Sequence, residues 1–326
     1  MSHDMNKKHR ITAQSALALV LLASLLLSSG AAAEGCRASL RVCARLIIPS
    51  LFPFFVLSSY CTALGLPGLL GKLLAPSAAK LYGISGAGAS ALFIGLTGGY
   101  PAGAACIADM EKNGTVSAAE AERLLAFCNN SGPAFLVGAV GVGVFRSVRA
   151  GLLLYAVHIA AALLTGLFFR RRFHCDAEAP VFLDSADPAA ALTQAVRRSV
   201  TAILNVCGFV VSFSVLLAVL NSRGTLTLLC GFLSERLGWA LPFSRALIAG
   251  LFELGSGVAA MEGLALTPPS FALAALLTGW GGLSVHFQTL SLLTGCKAKG
   301  ALHLTGRLLS ASIGAALAYP AALLFF

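Results

Sequence analysis

Apolar runs without a charged residue recur along the chain at 11–33, 46–71, 124–145, 150–169, 199–222 and 308–326. Each approaches or exceeds the roughly 20 residues that a helix needs to cross the hydrocarbon core of a bilayer. The pattern therefore predicts an all-α, polytopic membrane protein. Two stretches depart from it. Gly95-Leu-Thr-Gly-Gly-Tyr-Pro-Ala-Gly103 is followed by Cys128-Asn-Asn-Ser-Gly-Pro133, and roughly 150 residues later Gly250-Leu-Phe-Glu-Leu-Gly-Ser-Gly257 is followed by Thr278-Gly-Trp-Gly-Gly-Leu-Ser284. Backbone freed from helical bonding persists at membrane depth only inside protein or beside a watery cavity. Interruptions at matching places in two halves are the sequence mark of a solute-binding site.

The two halves share an order of parts: a long apolar helix (46–64; 199–220), a partly amphipathic piece (66–81; 225–241), the glycine-broken segment (83–108; 246–266), an interrupted helix (118–143; 271–294) and a final apolar helix (151–169; 306–326). Between them, 171–198 carries Asp176, Glu178, Asp184, Asp187, Arg197 and Arg198 and reads as a solvated linker. The expected division is 1–36 as an N-terminal transmembrane helix, 37–170 as the first repeat, 171–198 as the polar linker and 199–326 as the second repeat. If each glycine-broken segment is a re-entrant hairpin, each half crosses an odd number of times and the repeats are inverted.

The cations support that topology. The inner side collects Lys7, Lys8, Arg10, Lys72, Lys80, Lys112, Arg123, Arg170, Arg171, Arg172, Arg197, Arg198, Lys297, Lys299 and Arg307, against Arg37, Arg41, Arg45, Arg146, Arg149, Arg223, Arg236 and Arg245 outside. Arg37, Arg41 and Arg45 fit least well, but their four-residue spacing makes one stripe suited to an interfacial helix. The N-terminal run ends in Ala31-Ala-Ala33-Glu34, which a cleavable signal would also show; its length favours an uncleaved helix. Ser117 with Glu120 reads as a capping box.

Composition narrows the class. With 57% hydrophobic and 11% charged residues and a mean hydropathy of +0.85, the chain belongs in a bilayer. Its net charge of +10 lies in short clusters flanking apolar runs, where it meets anionic lipid headgroups, and no separate basic domain exists for nucleic acid. The nine cysteines form no CxxC pair or Cys/His cluster, so no metal, cofactor or disulfide framework is expected.

Pro133 forces the helix to kink or open around Asn129, Asn130, Ser131 and Gly132, whose side chains add donors and acceptors; a plain proline kink with amides tying neighbouring helices is the competing reading. Gly98, Gly99, Tyr100, Pro101 and Gly103 read as the first hairpin tip, with close packing of small residues as the alternative. Glu253 is the most costly residue here, an acid in an otherwise uncharged stretch, and is expected to couple a proton or Na+ or to bind solute. Gly255, Ser256 and Gly257 would complete the second tip, and Gly281, Gly282 and Ser284 the second unwound element. His286 and Gln288 lie just beyond, where a hydrogen-bonded core histidine is the commoner case. No lysine or arginine is expected in either core, so an anion would depend on helix N-termini and neutral donors.

Pro49-Ser-Leu-Phe-Pro-Phe54, Gly95-Leu-Thr-Gly-Gly-Tyr-Pro-Ala-Gly103, Ala121-Glu-Arg-Leu-Leu-Ala-Phe127 and Asn130-Ser-Gly-Pro133 together resemble the YlbJ family of sporulation integral membrane proteins, which carry a nucleoside-recognition or Gate domain. The resemblance implies kinship with concentrative nucleoside transporters, whose hairpin tips and broken helices form the substrate site. It also implies a role in endospore formation, carrying dipicolinic acid across the outer forespore membrane. Thr97-Gly-Gly-Tyr-Pro101 stands where a nucleoside transporter's first hairpin carries glutamine and glutamate. The expected function is alternating-access transport of a small polar or anionic metabolite, dipicolinate foremost, by a monomer or an oligomer. The alternative is a non-transporting scaffold or ligand-gated partner of a sporulation complex. An intramembrane enzyme built on Glu253 and His286 is not expected, since no nucleophile, metal motif or paired carboxylate accompanies them.

Overall fold

The computed structural model describes residues 15, 16, 18–170 and 187–326. Lys7, Lys8, Arg10, Arg171, Arg172, Asp176, Glu178 and Asp184 lie outside the described residues, which contain helices and no strand. Helix α1 (Ala18–Leu27) bends by 93° at Ser28 into α2 (Ser29–Val42), which continues through a π-helical turn (Cys43–Ile47) into α3 (Ile48–Ala63). The expected boundary at 36 therefore falls inside α2. On α2 the arginine stripe is exposed and partly neutralised, Glu34 meeting Arg37 at 2.9 Å and Arg41 at 3.4 Å.

The first half continues with α4 (Leu66–Tyr82), α5 (Gly86–Gly98), α6 (Ala102–Lys112), α7 (Ala118–Phe127), a π-helical segment (Ala134–Val144) and α8 (Val148–Phe169). The second runs α9 (Pro188–Ser222), α10 (Thr225–Leu237), α11 (Leu241–Phe252), α12 (Leu254–Ala260), α13 (Pro268–Trp280), α14 (Gly282–Leu292) and α15 (Ala301–Phe325). The order of parts matches the two predicted repeats, and so does the punctuation. Both α4 and α10 are bracketed by glycines in the left-handed region, Gly65 and Gly83 for one, Gly224 and Gly238 for the other. Among the described residues four helices are long and apolar enough to cross a membrane, or up to six if each bent pair counts as one.

Helix α9 starts earlier than the expected linker boundary at 198. Asp187 accepts from Ala190 N at 3.0 Å, Pro188 takes the first helical position, and alanines extend the helix until it carries Arg197 and Arg198. The capping box is also only half formed. Ser117 accepts from Glu120 N at 3.2 Å, but the Glu120 carboxylate accepts from Ser85 N at 2.7 Å instead, at the start of α5. Packing of α2 and α3 against α9 and of α7 and α8 against α15 joins the halves, while α13 packs along α15 within the second.

Candidate functional site

Each hairpin closes on a glycine pair. A Cβ on Gly103 would lie 3.0 Å from Gly95 Cα, and one on Gly257 would lie 2.3 Å from Gly250 Cα. Each tip also presses on the broken helix of its own half. A Cβ on Gly99 would meet Gly132 N at 2.7 Å, and one on Gly282 would meet Leu254 N at 2.9 Å. Close packing of small residues thus sets each tip on the break of its own half, as the packing reading of these glycines expects. Gly99 at φ 79° and Gly281 and Gly282 at 87° and 80° occupy the left-handed region that glycine adopts without a Cβ penalty.

The breaks differ from expectation in extent. Chain 128–132 leaves helical form between α7 and the π-helical segment, and helix resumes at Pro133, the residue that predicted the break. The second break is tighter, confined to Gly281 between α13 and α14, with Ser284 already helical. In the second hairpin the turn is Glu253 itself, and Gly255, Ser256 and Gly257 belong to α12. Glu253 is 2% exposed; its Oε1 accepts from Gly255 N at 2.8 Å and its Oε2 from Ser256 N. The acid sits there because two N–H groups of the opening turn have no helical acceptor.

Polar contacts run from one half to the other. Asn129 accepts from Ala104 N of α6 at 3.3 Å and donates to Thr289 Oγ1 of α14 at 2.9 Å. Ser131 N donates to His158 Nε2 at 3.1 Å. The Ser131 hydroxyl at 3.1 Å and the Tyr100 hydroxyl at 3.3 Å both donate to Thr278 O, just before the second break. His286 Nδ1 lies 3.1 Å from His303 Nε2, and His303 Nδ1 lies 3.1 Å from Leu125 O. A carbonyl only accepts, so in the neutral pair His303 carries its proton on Nδ1 and His286 donates from Nδ1. His286 Nε2, Gln288 Oε1 and Ser284 Oγ are buried with no partner among the described residues.

One charge at the centre was not anticipated. Arg307, placed on the inner surface by its position before the last apolar run, is fully buried. Helix α15 begins at Ala301, so Arg307 lies about two turns inside it, roughly 9 Å along the axis. Gly306 lets α15 touch α7, since a Cβ there would come within 2.2 Å of Ala126 O. That contact delivers Arg307 to the first break, where Nη1 donates to Tyr100 OH and Asn130 Oδ1 at 3.1 Å each and Nη2 to Ala126 O at 3.3 Å. The signal was Gly300, a left-handed glycine that starts the helix before His303. Arg123, also placed on the surface, is buried and donates to Gly83 O.

Tyr100, Ser131, Gly132, Glu253, Gly255, Ser284 and Gln288 line one cavity of about 50 Å³, together with apolar residues such as Ile47, Leu51, Val206 and Val210. A second, vestibule-like cavity of about 720 Å³ is lined by Ser58, Pro101, Asp109, Asn113, Arg198, Asn205 and Gln288 among others. Gln288 borders both. The vestibule has the size of small-molecule sites, whereas the inner chamber has room for little more than water. Of the expected residues, Gly98, Gly99, Pro101, Asn129, Asn130, Ser256, Gly257, Gly281, Gly282 and His286 frame the breaks without lining the inner chamber.

The fold resembles solved structures of the concentrative nucleoside transporter CNTnw. An inward-facing, substrate-bound state superposes with a TM-score of 0.55 at 17% identity, over 97% of this chain and 87% of that one. An intermediate state gives 0.51 at 16% identity, over 96% and 86%. No protein-family model matches the chain. The sequence is 30% identical over 302 residues to the sporulation integral membrane protein YlbJ of Bacillus subtilis (strain 168), covering 85% of this chain and 74% of that protein. The motifs, the doubled hairpin-and-break fold and this identity place the chain in the YlbJ family of integral membrane proteins.

Proposed function

We propose that this protein is a secondary transporter that moves a small polar or anionic solute by alternating access, with dipicolinate as the lead candidate. The observation that carries the reading is the meeting of four backbone breaks around a small, mainly apolar chamber that Tyr100, Ser131 and Glu253 also line and that shares Gln288 with a solute-sized vestibule. Donors and acceptors at such breaks are free to hold a solute without a full set of helical bonds competing for them. The inner chamber is too small for a pyridine dicarboxylate, so transport requires the hairpin tips to part. Each tip rests on its break through backbone contact at glycine, and opening the first tip also breaks the Tyr100 hydroxyl's bonds with Arg307 and Thr278 O.

A proton or Na+ gradient supplies the driving force in this reading, and Glu253 is the candidate coupling group. Kinship with a sporulation integral membrane protein supports a role in endospore formation, and the outer forespore membrane is the location we propose for it. Liposomes containing the purified protein test the reading. Saturable uptake of radiolabelled dipicolinate above empty liposomes, with a nucleoside measured alongside, is the expected result. Binding without uptake would leave a ligand-gated scaffold instead.

A further inference from the structure

Arg307 is fully buried, yet among the described residues no carboxylate lies within ion-pair distance of it; the ion pairs formed, at Glu34 and Glu262, are exposed. A buried charge without a counter-charge is a costly arrangement. Here the guanidinium is met by neutral acceptors alone, Tyr100 OH, Asn130 Oδ1 and Ala126 O, and Nε has none. These partners satisfy N–H groups but leave the charge uncompensated.

The charge reaches the chamber through one of them. Tyr100 accepts from Arg307 and donates to Thr278 O, which also takes the Ser131 hydroxyl proton. Tyr100 and Ser131 both line the chamber. Its wall thus holds two hydroxyl donors spent on a single neutral carbonyl, one of them polarised by a cation. A carboxylate is a stronger acceptor than a peptide carbonyl and draws both protons away from it. A neutral solute exchanges one neutral acceptor for another and gains little. An ionised Glu253 on the same wall would repel a carboxylate, so the solute binds with Glu253 protonated or paired with the coupling cation, while its oxygens accept from the N–H groups of Gly255 and Ser256.

We propose that Arg307 selects the charge of the solute, acting through Tyr100 and Asn130 as a positioning residue, so that the chamber takes a carboxylate in preference to a neutral molecule of the same shape. This rests on the chamber being the solute site of the proposed transporter.

The test compares dipicolinate with the neutral diamide of the same pyridine ring, as binding to the full chain in detergent and as uptake into liposomes. The wild type is expected to prefer dipicolinate. Arg307→Gln lowers dipicolinate affinity on the order of 10–100-fold while leaving the diamide within about threefold, and Arg307→Lys recovers part of the loss. Tyr100→Phe, which keeps the cation but removes the relay, costs dipicolinate about tenfold. Equal losses on both probes would mark Arg307 as a strut and overturn the proposal, as would a wild type that shows no preference or binds neither probe. If Arg307→Gln does not give monodisperse protein, Tyr100→Phe decides, and an unchanged preference overturns the proposal. Charge-selective binding without uptake ends the transport reading and keeps this one; uptake without charge preference does the reverse.

Discussion

Replacing Gly95 by alanine places a methyl group where the first break already lies. The new Cβ would sit 1.5 Å from Cys128 O and 2.7 Å from Cys128 C. Carbon and carbonyl oxygen meet at about 3.3 Å at closest, so α5 and the break must separate by roughly 2 Å. The obstacle is backbone, and no side chain can rotate away. Overpacking of this kind costs about 1–3 kcal/mol. Displacing the hairpin also strains the bond from Ala104 N to Asn129 at 3.3 Å, worth about 1 kcal/mol more. The sum of about 2–4 kcal/mol corresponds to a fall in Tm on the order of 3–6 °C, read by thermal unfolding in detergent. Gly208→Ala is the control: it lies in α9 with nothing within 4 Å of its added Cβ, so alanine should leave Tm unchanged or raise it. If the two variants melt alike, hairpin and break are not in backbone contact and the packing argument fails.

Other consequences follow from single contacts. In a double-mutant cycle of Asn129→Ala and Thr289→Val, the cross-half hydrogen bond should appear as a coupling of about 0.5–1.5 kcal/mol in unfolding free energy, and additivity would show it absent. Glu253→Ala strands two N–H groups at the turn and should cost about 1–3 kcal/mol in a denaturant titration, with Glu253→Gln costing less; a glutamine variant whose uptake matches wild type at every pH would remove the coupling role. Glu111 accepts from Lys297 N and Ala298 N while Glu122 accepts from Lys299 N and Gly300 N, pinning the segment that leads into α15. Glu111→Ala combined with Glu122→Ala should speed tryptic cleavage after Lys297 and Lys299 several-fold, and unaltered digestion would show that the carboxylates do not hold it.

Much of the architecture was legible because each half lists the same parts in the same order. Glycine at 95 and 250 and proline at 133 are local necessities that no apolar neighbour can mask. What escaped depends on distance in the sequence. Asn129 was visible as a polar residue at a break, but its bond to Thr289 joins positions in different halves, and nothing local announces it. Arg307 was misread because a cation before an apolar run looks like a membrane flank; only the start of α15 at Ala301 and the glycine contact with Ala126 take it inward. The tip of the second hairpin slipped by a few residues for a related reason. Gly255 and Gly257 suggested flexibility, yet Gly257 serves the contact with Gly250 while Glu253 makes the turn by capping α12.

The central claim is that hairpin tips and helix breaks from both halves enclose one solute chamber. An electron cryomicroscopy map of the protein with dipicolinate tests it most directly. The account predicts the ligand between the tips, with a carboxylate within hydrogen-bond distance of Tyr100 and Ser131 and the contact between Gly99 and Gly132 or between Gly282 and Leu254 opened. Dipicolinate seated only in the vestibule, or on a lipid-facing surface with both tips still pressed on their breaks, would contradict it.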